Sequence, residues 1–253
     1  MKERGEKTAK EFWEKRWGES QLWKYSKITK YMAIHRKFDQ LLKEFLGKGD
    51  KRILEIGCAG GKQLVYFSKE FGYEPYGIDY SEEGCRIARE NLRSQDICGQ
   101  IICEDIFDTS LEEEFDIVYS MGLIEHFLNT KRIIDKHIAL LKPGGILLIT
   151  VPNLKGSLYY SIRKMLGREV ELSRNHNLSI MEISKLRNAV QNEVDILFLD
   201  YFGPINLFAA LNPKNIGVSL FMHMINEALG YLTFYLRSRY FSPRIVLIAR
   251  KPE

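Results

Sequence analysis

Ile53–Lys62 reads Ile-Leu-Glu-Ile-Gly-Cys-Ala-Gly-Gly-Lys, and no other stretch constrains the chain as strongly. A short apolar run with one embedded acid, Glu55, stops at a cluster of small residues, and a helical pattern begins near Gln63. That order predicts a strand, a tight glycine turn and a helix. Small residues let backbone come close to a ligand, and the N terminus of the helix beyond offers unpaired N–H groups. The turn therefore predicts a binding site that later segments complete.

From Lys51 onward the apolar pattern changes period, and strands alternate with helices. Strands are expected at Arg52–Ile56, Pro75–Ile78, Gly99–Cys103, Phe115–Ser120 and Ile146–Val151. Helices are expected over about Gln63–Phe71, from a Ser81 cap to about Arg93, and over about Lys131–Leu141. Lys142-Pro143-Gly144-Gly145 reads as a turn, and Val194–Tyr201 and Arg244–Arg250 read as strands six and seven. Such alternation implies parallel crossover units, so the fold class is α/β, a doubly wound, mostly parallel sheet of seven strands.

Around that core the chain reads as one domain, residues 1–253. Residues 1–50 form an N-terminal helical cap, 51–153 a ligand-binding core and 154–193 a helical segment on the substrate side. Residues 194–253 hold the last two strands around an apolar helical insertion, 205–241. The cap, Thr8–Leu46, places Phe12, Trp13, Trp17, Tyr31, Ile34, Phe38, Leu41, Leu42 and Phe45 at helical spacing. Its aromatics either cap a pocket or, more simply, pin the arm to the sheet. Leu154–Leu166 and Ile180–Gln191 look helical, with a polar loop at Arg174–Asn177 between them.

Composition demands no nucleic-acid partner, though it does not exclude one. The content, 45% hydrophobic and 28% charged, is that of a globular chain, and 253 residues can bury a full core. A net charge of +4 and a pI near 8.7, with much of the excess in the first 52 residues, contain no dense basic block that would demand nucleic acid. Cys58, Cys85, Cys98 and Cys103 form no C-x-x-C pair and have no His at zinc spacing, so no metal is expected. Met-Lys-Glu-Arg-Gly-Glu-Lys leads into no apolar signal core, which predicts a cytoplasmic protein.

The insertion carries its polar residues Ser219, His223, Asn226, Glu227 and Thr233 on one narrow helical stripe, and apolar side chains fill the rest. Ile216–Leu236 is long enough to cross a bilayer, but His223 and Glu227 near its centre argue against a span. Helix 216–236 is expected to pack in the core or at a homodimer contact. Less readily it forms a lid over a greasy substrate or rests peripherally on a membrane.

In an open parallel sheet, ligands bind at the carboxyl ends of the strands. Those ends carry the glycine turn, Asp79, Asp105, Ser120–Gly122 and the pair Glu125–His126. An acid ending strand two suits ribose hydroxyls. A dinucleotide fingerprint from Gly57 would need glycine at 59 and a small residue at 62, where Ala59 and Lys62 stand. A phosphate loop would need glycine at 56 and Ser or Thr at 63, where Ile56 and Gln63 stand. Glu55 repels a pyrophosphate but suits a cation, so a ribose with an ammonium and a sulfonium fits these charges better.

Six segments then follow in order: Leu54-Glu-Ile-Gly-Cys-Ala-Gly-Gly61, Gly77-Ile-Asp-Tyr-Ser81, Cys103-Glu-Asp-Ile106, Phe115-Asp-Ile-Val118, Ile124-Glu-His126 and Leu141-Lys-Pro-Gly-Gly-Ile-Leu-Leu-Ile-Thr-Val-Pro-Asn153. Together the series, about Lys51–Asn153, resembles class I S-adenosylmethionine-dependent methyltransferases, particularly those similar to quinone-biosynthesis O-methyltransferases. The resemblance implies a Rossmann-like sheet with an antiparallel last strand and S-adenosyl-L-methionine as cofactor. It implies that Glu55, Gly57, Cys58, Ala59 and Gly61 surround the methionine part of that cofactor. Asp79 would bind the ribose, with Tyr80 against the adenine and Ser81 beside it. Asp105 and the Ile106 backbone would read the adenine edge, and Ser120 and Met121 would floor the methyl site. Ala59 departs from the usual glycine and predicts a mild steric intrusion.

Methyl transfer from a sulfonium asks mainly for alignment. An oxygen acceptor must also lose a proton, and His126 is the leading base, with His176 the second. For His35, His137 and His223 a structural role is expected. The expected reaction is methylation of a small, hydrophobic acceptor, on oxygen in preference to carbon or nitrogen. Its rivals are an RNA or protein methyltransferase, a non-catalytic cofactor-binding partner subunit and a nicotinamide oxidoreductase.

Overall fold

Near-continuous apolar strands must be covered on both faces, and here they are. The computed structural model describes residues 6–19, 33–112, 115–155, 158–165, 174–204 and 216–253. Its strands are β1 Arg52–Ile56, β2 Glu74–Asp79, β3 Gln100–Cys103, β4 Phe115–Met121, β5 Leu141–Pro152, β6 Asp195–Phe202 and β7 Arg244–Arg250. Its helices are α1 Lys10–Gly18, α2 Ala33–Phe45, α3 Lys62–Phe71, α4 Glu82–Arg93, α5 Thr130–Ala139, α6 Leu158–Met165, α7 Ile183–Val190 and α8 Ile216–Leu232.

The sheet order is β3-β2-β1-β4-β5-β7-β6. All pairs are parallel except those of β7, which runs antiparallel to β5 and to β6. Chain direction across the sheet reverses between β1 and β4, and this opens the crevice that parallel sheets use for ligands. Alternate residues serve opposite layers. Leu54, Val118, Leu147 and Leu247 pack with Ile133 and Ile134 of α5 and Leu186 of α7. Ile53, Ile117, Leu148 and Ile248 pack with Leu42 of α2 and Leu64 and Phe67 of α3. Burying each such side chain contributes roughly 1.5–3 kcal/mol, and a one-residue slip would turn a whole strand's set to the wrong layer.

Three differences from the sequence reading have physical causes. Lys142–Gly145 is not a separate turn but a bulged stretch inside β5, since Phe115 pairs with Leu141 while Ile117 pairs with Ile146. Thr8–Leu46 divides into α1 and α2, and Tyr31 lies outside the described residues. On the substrate side α6 falls within the first expected helix, whose residues 156, 157 and 166 lie outside the described ones, and the second begins later, as α7 preceded by a short 3-10 turn, Leu178–Ile180.

Helix α8 lies against α2, and its polar stripe faces inward at Glu227, whose Oε2 accepts from Ala33 N at 2.9 Å. That carboxylate supplies a partner for a free N–H at the start of α2. The outward face keeps Phe221, Met224, Tyr231 and Leu232 exposed, so the expected burial of this helix in the core does not occur. Residues 205–215 of the insertion lie outside the described residues. Among the described residues no helix is long and apolar enough to cross a membrane.

Candidate active site

A cavity of about 790 Å³ opens over the carboxyl ends of the strands, and α1 forms part of its wall. The glycine turn forms one side. Gly61 has φ +63, and a Cβ there would stand 3.0 Å from the Ala88 backbone, so the turn seats directly on α4. Gly57 and Ala59 line the cavity. Ala59 adopts no positive φ, and its methyl lies where a Cβ on Gly84 would approach to 2.7 Å. Gly84 therefore leaves room for the methyl that replaces the usual glycine, and the expected steric intrusion is absorbed.

Glu55 lines the cavity, yet it is almost fully buried and its Oε2 has no hydrogen-bond partner among the described residues. Burial is the main reason its pKa rises to about 8; the neighbouring Tyr119 hydroxyl opposes the rise and the Asp79 charge adds to it. An orphaned acid of this kind is costly unless a ligand answers it. Asp79 accepts from Ala59 N at 3.1 Å through Oδ2 and from Ser81 N at 2.9 Å through Oδ1. Burial raises its pKa to about 6 against those hydrogen bonds. Ser81, not Asp79, caps α4, accepting from Gly84 N at 3.0 Å. Asp105 folds its own turn through Phe107 N at 2.9 Å, and it lines the cavity with Tyr80, Ile106 and Glu104.

Four expected residues stand behind the wall. Cys58 is buried with its thiol packed over Gly77, Gly61 faces α4, and Ser81 is committed to its cap. Ser120 is fully buried with Oγ unpartnered, because side chains alternate along β4 and Met121 takes the cavity side.

Across the cavity, His126 Nδ1 lies 2.7 Å from the Asn175 carbonyl oxygen and 3.2 Å from Thr8 Oγ1. A carbonyl only accepts, so Nδ1 carries the proton and Nε2 keeps its lone pair. Burial first, then the neighbouring His176, lowers the His126 pKa to about 4. The two rings are 4.7 Å apart, and Trp13 meets His126 edge-on at 5.0 Å. Of the other histidines, His137 is buried in α5 and bonds Ile133 O, while His223 is exposed on α8. The expectation of no metal rested on sequence spacing. In space, ligand atoms of Glu125, His126 and His176 come within 4.8 Å of one another, a group that spacing alone misses.

The arm that carries α1 is tied down at both ends of the site. Glu6 bridges Phe127, Lys7 N donates to His126 O at 2.8 Å, and Lys7 Nζ donates to His176 O at 2.6 Å. Glu14 accepts from Glu82 N, Glu83 N and Ser81 Oγ at 2.8–3.1 Å, at the start of α4. These bonds hold its carboxyl below the ordinary range although burial opposes them. Phe12, Trp13, Arg16 and Trp17 consequently line the cavity. Glu125, expected at the strand ends, lines it too, as do Lys62, Gln63, Leu123, Asn175 and Arg244, which sequence reasoning did not select for the site.

Relatives agree with this geometry. Two curated relatives are ubiquinone biosynthesis O-methyltransferases: that of Nitrobacter winogradskyi is 28% identical over 121 residues, and that of Coxiella burnetii is 34% identical over 112. The matches cover 48% and 43% of this chain and 46% and 47% of theirs, so the chain spans about half the length of the curated relatives it matches. The Haemonchus contortus phosphoethanolamine N-methyltransferase 2, solved in complex with S-adenosyl-L-methionine, shares the fold. Its TM-score is 0.57 at 18% identity, over 86% of this chain and 52% of that one. A family model described as a methyltransferase domain matches residues 29–193. With more than half its length inside that model, the chain belongs to the methyltransferase-domain family, the class I S-adenosylmethionine-dependent methyltransferases.

Proposed function

We propose that the protein transfers a methyl group from S-adenosyl-L-methionine to an oxygen of a small acceptor bound beside His126. The observation that carries this reading is Glu55, a buried acid on the cavity wall whose Oε2 has no hydrogen-bond partner among the described residues. An ammonium group supplies the missing partner. Glu55 and the turn at Gly57 and Ala59 would hold the methionine end, Asp79 the ribose hydroxyls, and Tyr80, Asp105 and Ile106 the adenine. Cys58, Gly61, Ser81 and Ser120 act from behind, by shaping the turn, the start of α4 and the end of β4. Met121 faces the methyl site.

The cofactor brings a methyl group already activated on a sulfonium, so the chain's own work is alignment and one proton. His126 is the base: the Asn175 carbonyl fixes its tautomer, and burial keeps the ring neutral and ready at neutral pH. A base with a pKa near 4 gains the proton uphill, so proton transfer belongs late, alongside methyl transfer. His176, one ring away, is placed to share it. The oxygen preference rests on the relatives' O-methylation.

We read the chain as one methyltransferase domain, with acceptor choice held in the 1–50 arm, 154–193 and the α8 region. The exposed face at Phe221, Met224, Tyr231, Leu232 and Tyr235 supports contact with an apolar surface, either a lipid leaflet or a second copy. Vesicle flotation and sedimentation distinguish these. Turnover of a phenol panel with labelled S-adenosylmethionine tests the main reading. Transfer that His126→Ala abolishes without loss of cofactor binding is the expected result, and cofactor binding without transfer to any oxygen, carbon or nitrogen acceptor opposes it.

A further inference from the structure

Three acids of the cavity gather on one side of it. Glu55, Asp79 and Asp105 end or follow β1, β2 and β3, on one side of the switch point. Arg244 opens β7 on the other side, paired with Pro152 of β5 and Phe202 of β6, and it lines the same cavity. Arg16 of α1 and Lys7 add positive potential at His126. An acidic wall suits a cationic cofactor.

Arg244 is the informative residue. Its guanidinium makes no hydrogen bond or ion pair with any described residue, although burial weighs against its charge. The acid that acts on it is Glu125, which is itself buried with Oε2 unpartnered. A half-buried guanidinium on the cavity wall, with no hydrogen-bond partner among the described residues, suits a planar anion, and carboxylate matches its fork with two parallel bonds. The same positive charge opposes a cation in the group formed by Glu125, His126 and His176.

We propose that Arg244 is the receptor for a ligand carboxylate at the β5–β7 end of the cavity. Two sources can supply that group: the amino-acid end of the cofactor, or an acidic acceptor such as a hydroxy-aromatic acid. The acceptor source rests on the proposed methyl transfer. It would make Arg244 a specificity residue that selects acids over their neutral counterparts.

The test is calorimetry on the full chain, wild type and Arg244→Met. The probes are S-adenosylhomocysteine, its carboxylate-free analogue 5′-methylthioadenosine, and, on the protein saturated with S-adenosylhomocysteine, 4-hydroxybenzoate against 4-hydroxybenzamide. Arg244→Met weakening S-adenosylhomocysteine at least tenfold, with methylthioadenosine unmoved, assigns the cofactor's carboxylate. Arg244→Met erasing a tenfold preference for hydroxybenzoate over hydroxybenzamide, with the cofactor unmoved, assigns the acceptor's. Arg244→Lys, which keeps the charge and loses the fork, should restore part of either effect, and Arg244→Gln replaces Arg244→Met if the latter fails to fold. Wild type showing no acid preference, together with unchanged cofactor ratios in the variant, overturns the proposal. Wild type that binds neither adenosyl ligand overturns the methyltransfer reading itself and is told apart by that result.

Discussion

The β1–β3 half of the cavity and the β5–β7 half are built by different means. In the first, each ligand-facing group comes from a short turn directly after a strand: Gly57 and Ala59 after β1, Asp79 closing β2, Asp105 after β3. The geometry is local, and backbone hydrogen bonds such as Ala59 N to Asp79 fix it. In the second half, His126 is held by Asn175 and Thr8, residues 49 and 118 positions away, and Arg244 arrives on the last strand. Local turns suit a ligand that never changes, while long-range contacts let acceptor recognition vary on a constant frame. The two halves should therefore fail differently when altered.

The sharpest separation is expected from His126→Ala, which should lower kcat by about 10²–10⁴-fold while leaving cofactor affinity unchanged. In the wild type, with cofactor saturating, the acid limb of kcat should fall near the depressed His126 value of about 4, well below the ordinary 6.5. Asp79→Ala should do the reverse, weakening the cofactor by roughly 10²-fold as charge-assisted bonds worth about 1.5–3 kcal/mol each are lost. A matching fall in turnover at saturating cofactor would blur the two halves into one unit.

A smaller effect follows from Glu55. With its pKa at about 8 it is mostly protonated at pH 7, and a bound cation favours the ionised form. Cofactor binding should thus release protons, and affinity should rise between pH 6 and 8 by up to about tenfold per unit. Glu55→Gln should flatten that rise, measured by titration in buffers of different ionisation enthalpy.

Gly84→Ala tests the packing under the turn. The new methyl would meet Ala59 at 2.7 Å, and overpacking of this kind costs about 1–3 kcal/mol. Ala59→Gly should recover most of it, so a double-mutant cycle in denaturant reads a coupling of similar size and opposite sign to the loss. Smallest of all, serine at Phe221 and Leu232 together should move stability by less than about 0.5 kcal/mol per site, because both side chains are exposed. A large loss of stability would show that this face is buried in solution.

The same contrast explains what was legible in the sequence. The alternating strands, and which residues stand at their carboxyl ends, could be read because apolar alternation, glycine spacing and acids near strand ends are local signals. The acceptor wall could not be read that way. Asn175 and Thr8 orient His126 only after the chain folds, and Arg244 reads as an ordinary charge at a strand start. The aromatics Phe12, Trp13 and Trp17 read more simply as pins, yet they line the cavity because Glu14 anchors α1 on the start of α4. Periodicity placed α8 in the core or at a homodimer contact; in the fold Glu227 bonds the start of α2 while Phe221, Met224, Tyr231 and Leu232 stay exposed.

The most direct test of the central claim is calorimetric titration of S-adenosylmethionine and S-adenosylhomocysteine into wild type and Asp79→Ala, with NADH as control. Micromolar binding of both adenosyl ligands by wild type, strongly weakened in Asp79→Ala, with NADH silent, is the predicted result. NADH binding, or silence from both adenosyl ligands in a folded protein, would contradict the account.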